Sequence, residues 1–260
     1  EIDILKEMGV EFRCGVEVGK DVTIQQLRGE GYKGFYLAIG AQKSAKLHIP
    51  GEELEGVLGG VDFLREVNLG NEPGIGRRCA VIGGGNVAMD AARCAMRLGA
   101  DEVSVVYRRS LEELPARREE VEHAMEEGIE FRMLTNPTSI IGDEKGWVVG
   151  ISCVEMELGE PDESGRRSPI EKAGSDFEIP CDVVIMALGT SPNPLLKMTT
   201  EGLETNRKGC LVADEKGATT REGIFAGGDA VTGAATVILA MGAGRKAAKS
   251  IDEYIRQKKH

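Results

Sequence analysis

Six consecutive residues have the types and spacing to hold a phosphate: Gly83-Gly84-Gly85-Asn86-Val87-Ala88. A glycine turn exposes main-chain N–H groups, and these bind an anion best where the start of a helix adds its dipole. The flanking sequence supplies that setting. Cys79 to Ile82 is a short apolar run with the bulk of a buried parallel strand. After the turn, Val87, Ala91, Ala95 and Leu98 mark one face of a helix, which Gly99 stops at C′. Strand, glycine turn and helix together make G-x-G-x-x-A a dinucleotide fingerprint. Gly83 permits the tight turn, Gly85 lets the backbone approach a pyrophosphate, and Ala88 lets the helix lie close to the sheet. The competing reading is a turn that only joins strand to helix.

The end of the second strand decides which dinucleotide. Units that bind NAD usually place an Asp or Glu there, hydrogen-bonded to the ribose 2′-hydroxyl. Here Glu102 to Tyr107 runs into Arg108 and Arg109, and Arg117 and Arg118 open the next helix. Guanidinium groups pair bidentately with a 2′-phosphate, so the pattern favours NADP(H) over NAD(H). A solvated basic cluster paired with Glu112, Glu113 and Glu119 is the alternative.

The elements that position these groups follow from the hydrophobic periodicity. Ser110 to Pro115 reads as a loop. Arg117 to Glu127 reads as a helix with Val121, Ala124 and Met125 inward, and Ile129 to Leu134 as a third strand. This β-α-β-α-β order implies a parallel sheet with right-handed crossovers. Ser139 to Ile141, Trp147 to Met156 and Asp176 to Ile179 then predict an antiparallel meander, with a polar loop at Gly159 to Ser168 and Trp147 capping its core. Asp182 to Leu188 is an apolar strand. Upstream, residues 10 to 18 read as a strand, Asp21 to Leu27 as a helix start, Gly34 to Ala41 as a buried strand, and Val61 to Val67 as a short helix. Downstream, Gly223 to Asp229 is a strand leading into a helical stretch, Ala234 to Ile255. Strands ending in A-x-G at residues 38–40 and 187–189 mark the passages between two nucleotide domains. The expected fold is α/β: a Rossmann-like unit, parallel sheet plus meander, at residues 61–195, inserted between flanking segments 1–60 and 196–260.

Composition narrows the partners. A formal net charge of −11 argues against nucleic acid and anionic membranes. No apolar run approaches the roughly 18 residues of a membrane span, and no signal peptide is visible. Six cysteines without a C-x-x-C, and three histidines, point to no metal site and to buried free thiols in a reducing cytoplasm. The chain opens at Glu1 inside a helical pattern, Ile2, Leu5, Met8 and Gly9, as expected for a segment of a longer protein.

YRRSLEELPARREEVEHAMEEGIEF following GGGNVAMDAA resembles the NADPH-binding domain of the glutamate synthase small (beta) subunit family. Its relatives include the large subunit of NADH-dependent ferredoxin:NADP oxidoreductase and the flavin half of dihydropyrimidine dehydrogenase. IPGEELEGV and GIFAGGDAVTGAATVILAMGAGRKAA fit the same family, so the resemblance covers essentially the whole chain. It implies that Gly84, Gly85, Asn86 and Val87 hold the NADPH pyrophosphate and that Arg108 and Arg109 hold the 2′-phosphate. Ala187, Leu188 and Gly189 would line the cofactor's path. Gly228 and Asp229 match the family's second FAD signature, the aspartate holding a ribityl hydroxyl, and Ala235, Thr236 and Val237 would start the helix aimed at the flavin ring. Val18 would meet the adenine through its backbone. For Asp229 a plain helix N-cap is the alternative.

The family also implies a hydride passed from NADPH to FAD, and electrons passed on to iron–sulfur clusters or a partner subunit. Such transfer requires orientation and exclusion of water rather than a protein acid or base, so no catalytic side chain is named. His123 reads as a surface residue. Members of the family begin their FAD domain with a further βαβ unit carrying its own GxGxxG, preceded by a cysteine-rich segment, and neither occurs in this sequence. The chain alone is therefore expected to be colourless, to bind NADP(H) without reductase activity, and to self-associate through uncovered apolar surface. Two alternatives stand: a regulatory or assembly module that senses NADP(H) without turnover, and a disulfide reductase, disfavoured by the missing cysteine pair.

Overall fold

The apolar run at Cys79–Ile82 forms the middle of a five-stranded parallel sheet. Arg78–Ile82 pairs with Glu102–Val106 on one side and Val183–Met186 on the other, and Glu130–Arg132 and Val57–Gly59 are the edges. The computed structural model describes residues 2–163 and 165–258. They divide into two units: Lys43–Thr190, and the segment ending at Gln42 together with the segment from Ser191 onward.

In the 43–190 unit, alternation along the strands sends successive side chains to opposite layers. Cys79, Val81, Val103, Val105, Val183 and Ile185 face the helices Gly60–Asn68, Asn86–Arg97 and Arg118–Glu126, packing on Phe63, Met89, Ala92 and Val121. Ala80, Ile82, Val106, Val184 and Met186 face an antiparallel sheet and pack on Ile140, Val148, Ile151, Cys153 and Ile179. Both faces are covered, which is why these strands are almost wholly apolar. The helix after the glycine turn buries Ala88, Ala91, Ala92 and Ala95 completely. Small residues there let it sit close to the sheet. Ala91→Leu is expected to overpack this contact, cost about 1–3 kcal/mol and lower the Tm in thermal denaturation.

The antiparallel sheet has Val148–Pro161 between Thr135–Gly142 and Phe177–Pro180, and Arg167–Glu171 returns along the far end of the long strand. The stretch read as a loop at 159–168 is thus mostly a hairpin, because Leu158 pairs with Pro169 and Gly159 gives room to the Ile170 side chain. Trp147 does not cap the core. It is 53% exposed, on a turn where its N–H donates to Asp143 Oδ1, and Val148 fills the core position instead.

The other unit is built on Phe35–Leu37 paired in parallel with Ile224–Ala226, over a core of Ile24, Leu37, Leu196, Leu203, Leu211 and Ile224. The helix Val237–Gln257 packs there through Ala247 and through Tyr254, edge-on to Phe225 at 6.0 Å. Residues 10–18 form no strand. Asp21 N–H donates to Glu17 O and Glu17 N–H to Asp21 Oδ2, so a local turn takes the Glu17 backbone groups that a sheet partner would have used. The unit boundaries at 42/43 and 190/191 precede the expected 60/61 and 195/196. The cause at the first is Val57–Gly59, which hydrogen-bonds to Val184–Met186 and so ties residues after 42 to the inserted sheet. Among the described residues, no helix is long and apolar enough to cross a membrane.

Candidate functional site

The chain leaves Ile82 at the carboxyl end of the middle strand, where the path divides between Glu102–Val106 and Val183–Met186. Such a switch point is where open α/β sheets bind ligands. Gly83 takes φ +140°, its N–H donates to Val106 O at 3.0 Å, and a Cβ there would lie 2.2 Å from Ala187 O. Gly84 packs under Tyr107 and Leu114, whose side chains a Cβ would meet at 2.8 and 2.6 Å. Gly85 differs. It is the N-cap of the helix Asn86–Arg97, and a Cβ there would meet nothing within 4 Å. No side chain caps this helix. Ala88 and Met89 N–H return to Gly85 O at 2.9 and 3.2 Å, which leaves the first N–H groups, of Asn86 and Val87, beside open space.

Ala187 is held against the turn by its N–H bond to Ile82 O, 2.8 Å, and its Cβ and Val87 Cγ1 would both lie 3.2 Å from a Cβ on Gly60. Leu188 packs toward the antiparallel layer, and Gly189 O accepts from Ala45 N–H at 3.0 Å. Of the three predicted path residues, Ala187 is thus the one against the glycine turn.

The two arginines at the end of the second strand have different fates. Arg108 is exposed, whereas Arg109 is 5% exposed and fully engaged. Arg109 Nη2 lies 2.6 Å from Asp162 Oδ2, and its Nε donates to Arg167 O at 2.7 Å. This corrects the expectation that both read a phosphate, since the Arg109 charge already serves a carboxylate. Glu112 and Glu113 do not screen Arg108 either. Both pair with Arg167, across 2.8 Å for Glu112 and in close contact for Glu113. Arg117 is exposed. Its N–H donates to Asn86 Oδ1 at 2.9 Å, and Ala116 N–H donates to Gly84 O at 3.1 Å, so the loop's far end is latched to the glycine turn. Asn86 therefore spends its side chain on the loop and offers only its N–H to a ligand. Arg118 pairs with Glu122 at 2.9 Å. Arg108 and Arg117 are the two guanidinium groups here with no ion pair within 4.0 Å among the described residues, and Arg117 lies near enough to Asp90 to favour its carboxylate form.

Glu113 closes the loop from inside. Ser110 caps the short 3-10 turn Leu111–Glu113, and Glu113 accepts from Ser110 and Arg167 while its carbonyl accepts from Tyr107 Oη at 3.0 Å. The Arg167 bond, then the Ser110 bond, hold its carboxyl below the usual glutamate range. A depressed folded-state pKa stabilises at pH above the ordinary value, and that contribution is lost as pH falls through the depressed one. Wild type is therefore expected to exceed Glu113→Gln in Tm at neutral pH, with the gap closing on acidification.

In the other unit, Gly228 (φ +65°) is the N-cap of the short helix Asp229–Thr232. Asp229 is not an N-cap; its Oδ1 accepts from Ala235 N–H at 3.2 Å and ties down the turn before the long helix, which Thr236 caps. Tyr36, Gly228, Asp229, Ala235, Thr236 and Val237 line one hollow. Gly227 beneath it has no room for a side chain, since a Cβ would lie 2.4 Å from Tyr36 Oη. The Val18 side chain packs against this unit's core, and His123 is exposed. The six cysteines are free, and no group of three or more His, Cys, Asp or Glu among the described residues could hold a metal ion.

Known proteins are similar to this chain in sequence and in fold. The subunit beta of the NADP(+)-dependent formate dehydrogenase of Moorella thermoacetica is 44% identical over 99% of this chain and 36% of its own length. The small chain of glutamate synthase [NADPH] of Halomonas elongata is 41% identical over 97% of this chain and 56% of its own. The chain thus spans between about a third and somewhat over half of these relatives. Among solved structures, Mycobacterium tuberculosis FprA in complex with NADPH superposes with a TM-score of 0.75 at 22% identity, over 94% of this chain and 68% of that one. That likeness is one of fold. The family model described as pyridine nucleotide-disulphide oxidoreductase matches residues 3–244. With most of its length so matched, the chain belongs to the pyridine nucleotide-disulphide oxidoreductase family.

Proposed function

We propose that the chain binds NADP(H) at the Gly83–Ala88 turn and contributes one side of an FAD site, as part of a flavin-dependent oxidoreductase that sends electrons on to a partner subunit. The observation that carries this reading is the exposed guanidinium group of Arg108, which has no ion pair among the described residues, at the start of a loop latched through Arg117 to an uncapped helix start. The open space at Gly85 suits a pyrophosphate, held by the Asn86 and Val87 N–H groups with the helix dipole behind them. Arg108 supplies the charge for a 2′-phosphate, and Arg117 adds a second at the loop's far end. When bound, NADPH supplies a hydride and FAD accepts it. The chain's own part is to bind and orient: Gly228 and the turn fixed by Asp229 give the hollow its polar edge, and Thr236 and Val237 give the flavin side its wall. No acid or base in either unit is asked to move a proton.

The names of the relatives support the rest. They are a subunit beta and a small chain of NADP- or NADPH-dependent enzymes, which favours an electron-accepting partner subunit. Iron–sulfur clusters in that partner fit the one-electron traffic a flavin permits. Free cysteines throughout accord with a reducing cytoplasm. Titrating the FAD-loaded protein with NADPH and NADH tests the proposal. Tighter NADPH binding with bleaching of the flavin's visible absorbance is expected. Binding without bleaching would favour a sensor, and no preference for NADPH would remove the basis of the reading.

A further inference from the structure

Between Arg109 and Ala116 the loop that follows Arg108 makes no main-chain to main-chain hydrogen bond to the sheet among the described residues. The backbone anchors lie at its two ends. Leu134 N–H donates to Arg109 O at 3.0 Å, and Ala116 N–H donates to Gly84 O. What holds the middle is a set of side-chain bonds, nearly all to one place, the antiparallel hairpin that ends Val148–Pro161 and begins Arg167–Glu171. Arg109 reaches Asp162 and the Arg167 carbonyl; Arg167 reaches back to Glu113, to Glu112, and to Ser110 Oγ at 3.4 Å. Two of these charged side chains, Arg109 and Glu113, are each only 6% exposed. Burying charge to this degree is costly unless every member is paired, so the network tolerates few loop conformations. The main chain on both sides of Arg108 is bonded to the next strand, Tyr107 N–H to Arg132 O, Thr135 N–H to Tyr107 O and Leu134 N–H to Arg109 O, each at 3.0 Å, and the network reaches Arg108 through the buried side chain of its neighbour Arg109.

We infer that Arg167, acting through Glu113 and together with the Asp162–Arg109 pair, is a positioning residue for nucleotide choice: the hairpin outside the Rossmann core holds the loop so that Arg108 is presented to the 2′-phosphate. This rests on the NADP(H) reading above. It assigns the hairpin a task in specificity, where a purely structural network would affect both nucleotides alike or only stability.

The test compares three proteins, each carrying the full chain: wild type, Arg167→Gln and Arg108→Ala. Binding of NADPH, NADH and the fragment 2′,5′-ADP is measured by calorimetry at fixed ionic strength. For Arg167→Gln, NADPH and 2′,5′-ADP are expected to weaken by about tenfold, the size of one misplaced charge-assisted contact, with NADH within about twofold. Equal loss for NADPH and NADH, or no loss for either, would overturn the inference. Arg108→Ala separates the two levels of argument. If it leaves the NADPH preference intact, the underlying NADP(H) reading fails. If it abolishes the preference while Arg167→Gln does not alter it, the hairpin inference alone fails. Should Arg167→Gln not fold, Arg167→Lys keeps the charge and loses the two-pronged contact with Glu112 and Glu113. A smaller loss confined to NADPH is then expected, and an unchanged NADPH-to-NADH ratio overturns the proposal.

Discussion

Arg108→Ala weakens NADPH binding by about ten- to a hundredfold and leaves NADH binding almost unchanged. A charge-assisted hydrogen bond contributes about 1.5–3 kcal/mol, and each 1.4 kcal/mol is about tenfold in affinity. Arg108 is exposed with no carboxylate partner, so nothing in the protein is left unpaired by its removal. Removing Arg117 as well should carry the loss to on the order of 10²-fold or more, short of strict additivity if the proposed site holds and the two charges share one ligand. Arg109→Ala is expected to behave differently. It strips Asp162 and the Arg167 carbonyl of a buried donor, so stability falls by about 1–3 kcal/mol before any nucleotide is added. The chain carries a net −11, which repels an anionic cofactor overall, and local arginines have to outweigh that background. Screening acts over about 8 Å at physiological salt, so the comparison holds only at one ionic strength. Equal losses of NADPH and NADH in Arg108→Ala would mean that this arginine does not read the 2′-phosphate.

The contrast between Arg108 and Arg109 shows what a sequence can and cannot disclose. Both stand at a strand end, both are arginines, and composition treats them alike. The strand ends at Val106 and both arginines lie in the bend after it, so strand alternation does not tell which of them faces solvent. Which one is set by Asp162, far along the chain on a hairpin whose polar sequence reads as a loop. The central strand, its helix and the meander were legible because two-residue and 3.6-residue periods are local properties. Trp147 was misread for the opposite reason: its size suggests burial, but the turn at Asp143 directs Val148 into the core and leaves the indole outside. The strand expected at residues 10–18 had the right alternation but, among the described residues, only one isolated bridge, Val18 to Val22, and alternation without a partner strand does not make a sheet. The boundary at 42/43 was hidden because the pairing of Val57–Gly59 with Val184–Met186 joins segments distant in sequence.

Gly83 and Gly85 belong to one motif, yet their substitutions should fail in different ways. In Gly83→Ala the new Cβ would sit 2.2 Å from the Ala187 carbonyl oxygen, on backbone with φ +140°. Strain of that kind costs about 1–3 kcal/mol for the dihedral alone. The clash adds to it, because Ala187 is fixed by its bond to Ile82 and cannot withdraw cheaply. The expected result is a large drop in Tm or insoluble protein. Gly85→Val meets none of this. Its φ is −90°, open to any residue, and a Cβ there touches nothing. Giving up glycine at the N-cap costs about 1 kcal/mol, so circular dichroism and thermal denaturation should report a near-native fold. The branched side chain would instead occupy the space before the Asn86 and Val87 N–H groups, where the pyrophosphate must come close. NADPH and NADH share that pyrophosphate. Both should lose binding by on the order of 10²-fold or more, unlike Arg108→Ala, which separates them. A folded Gly85→Val protein that still binds NADPH normally would place the phosphates elsewhere and undo the fingerprint reading on which the proposed function stands.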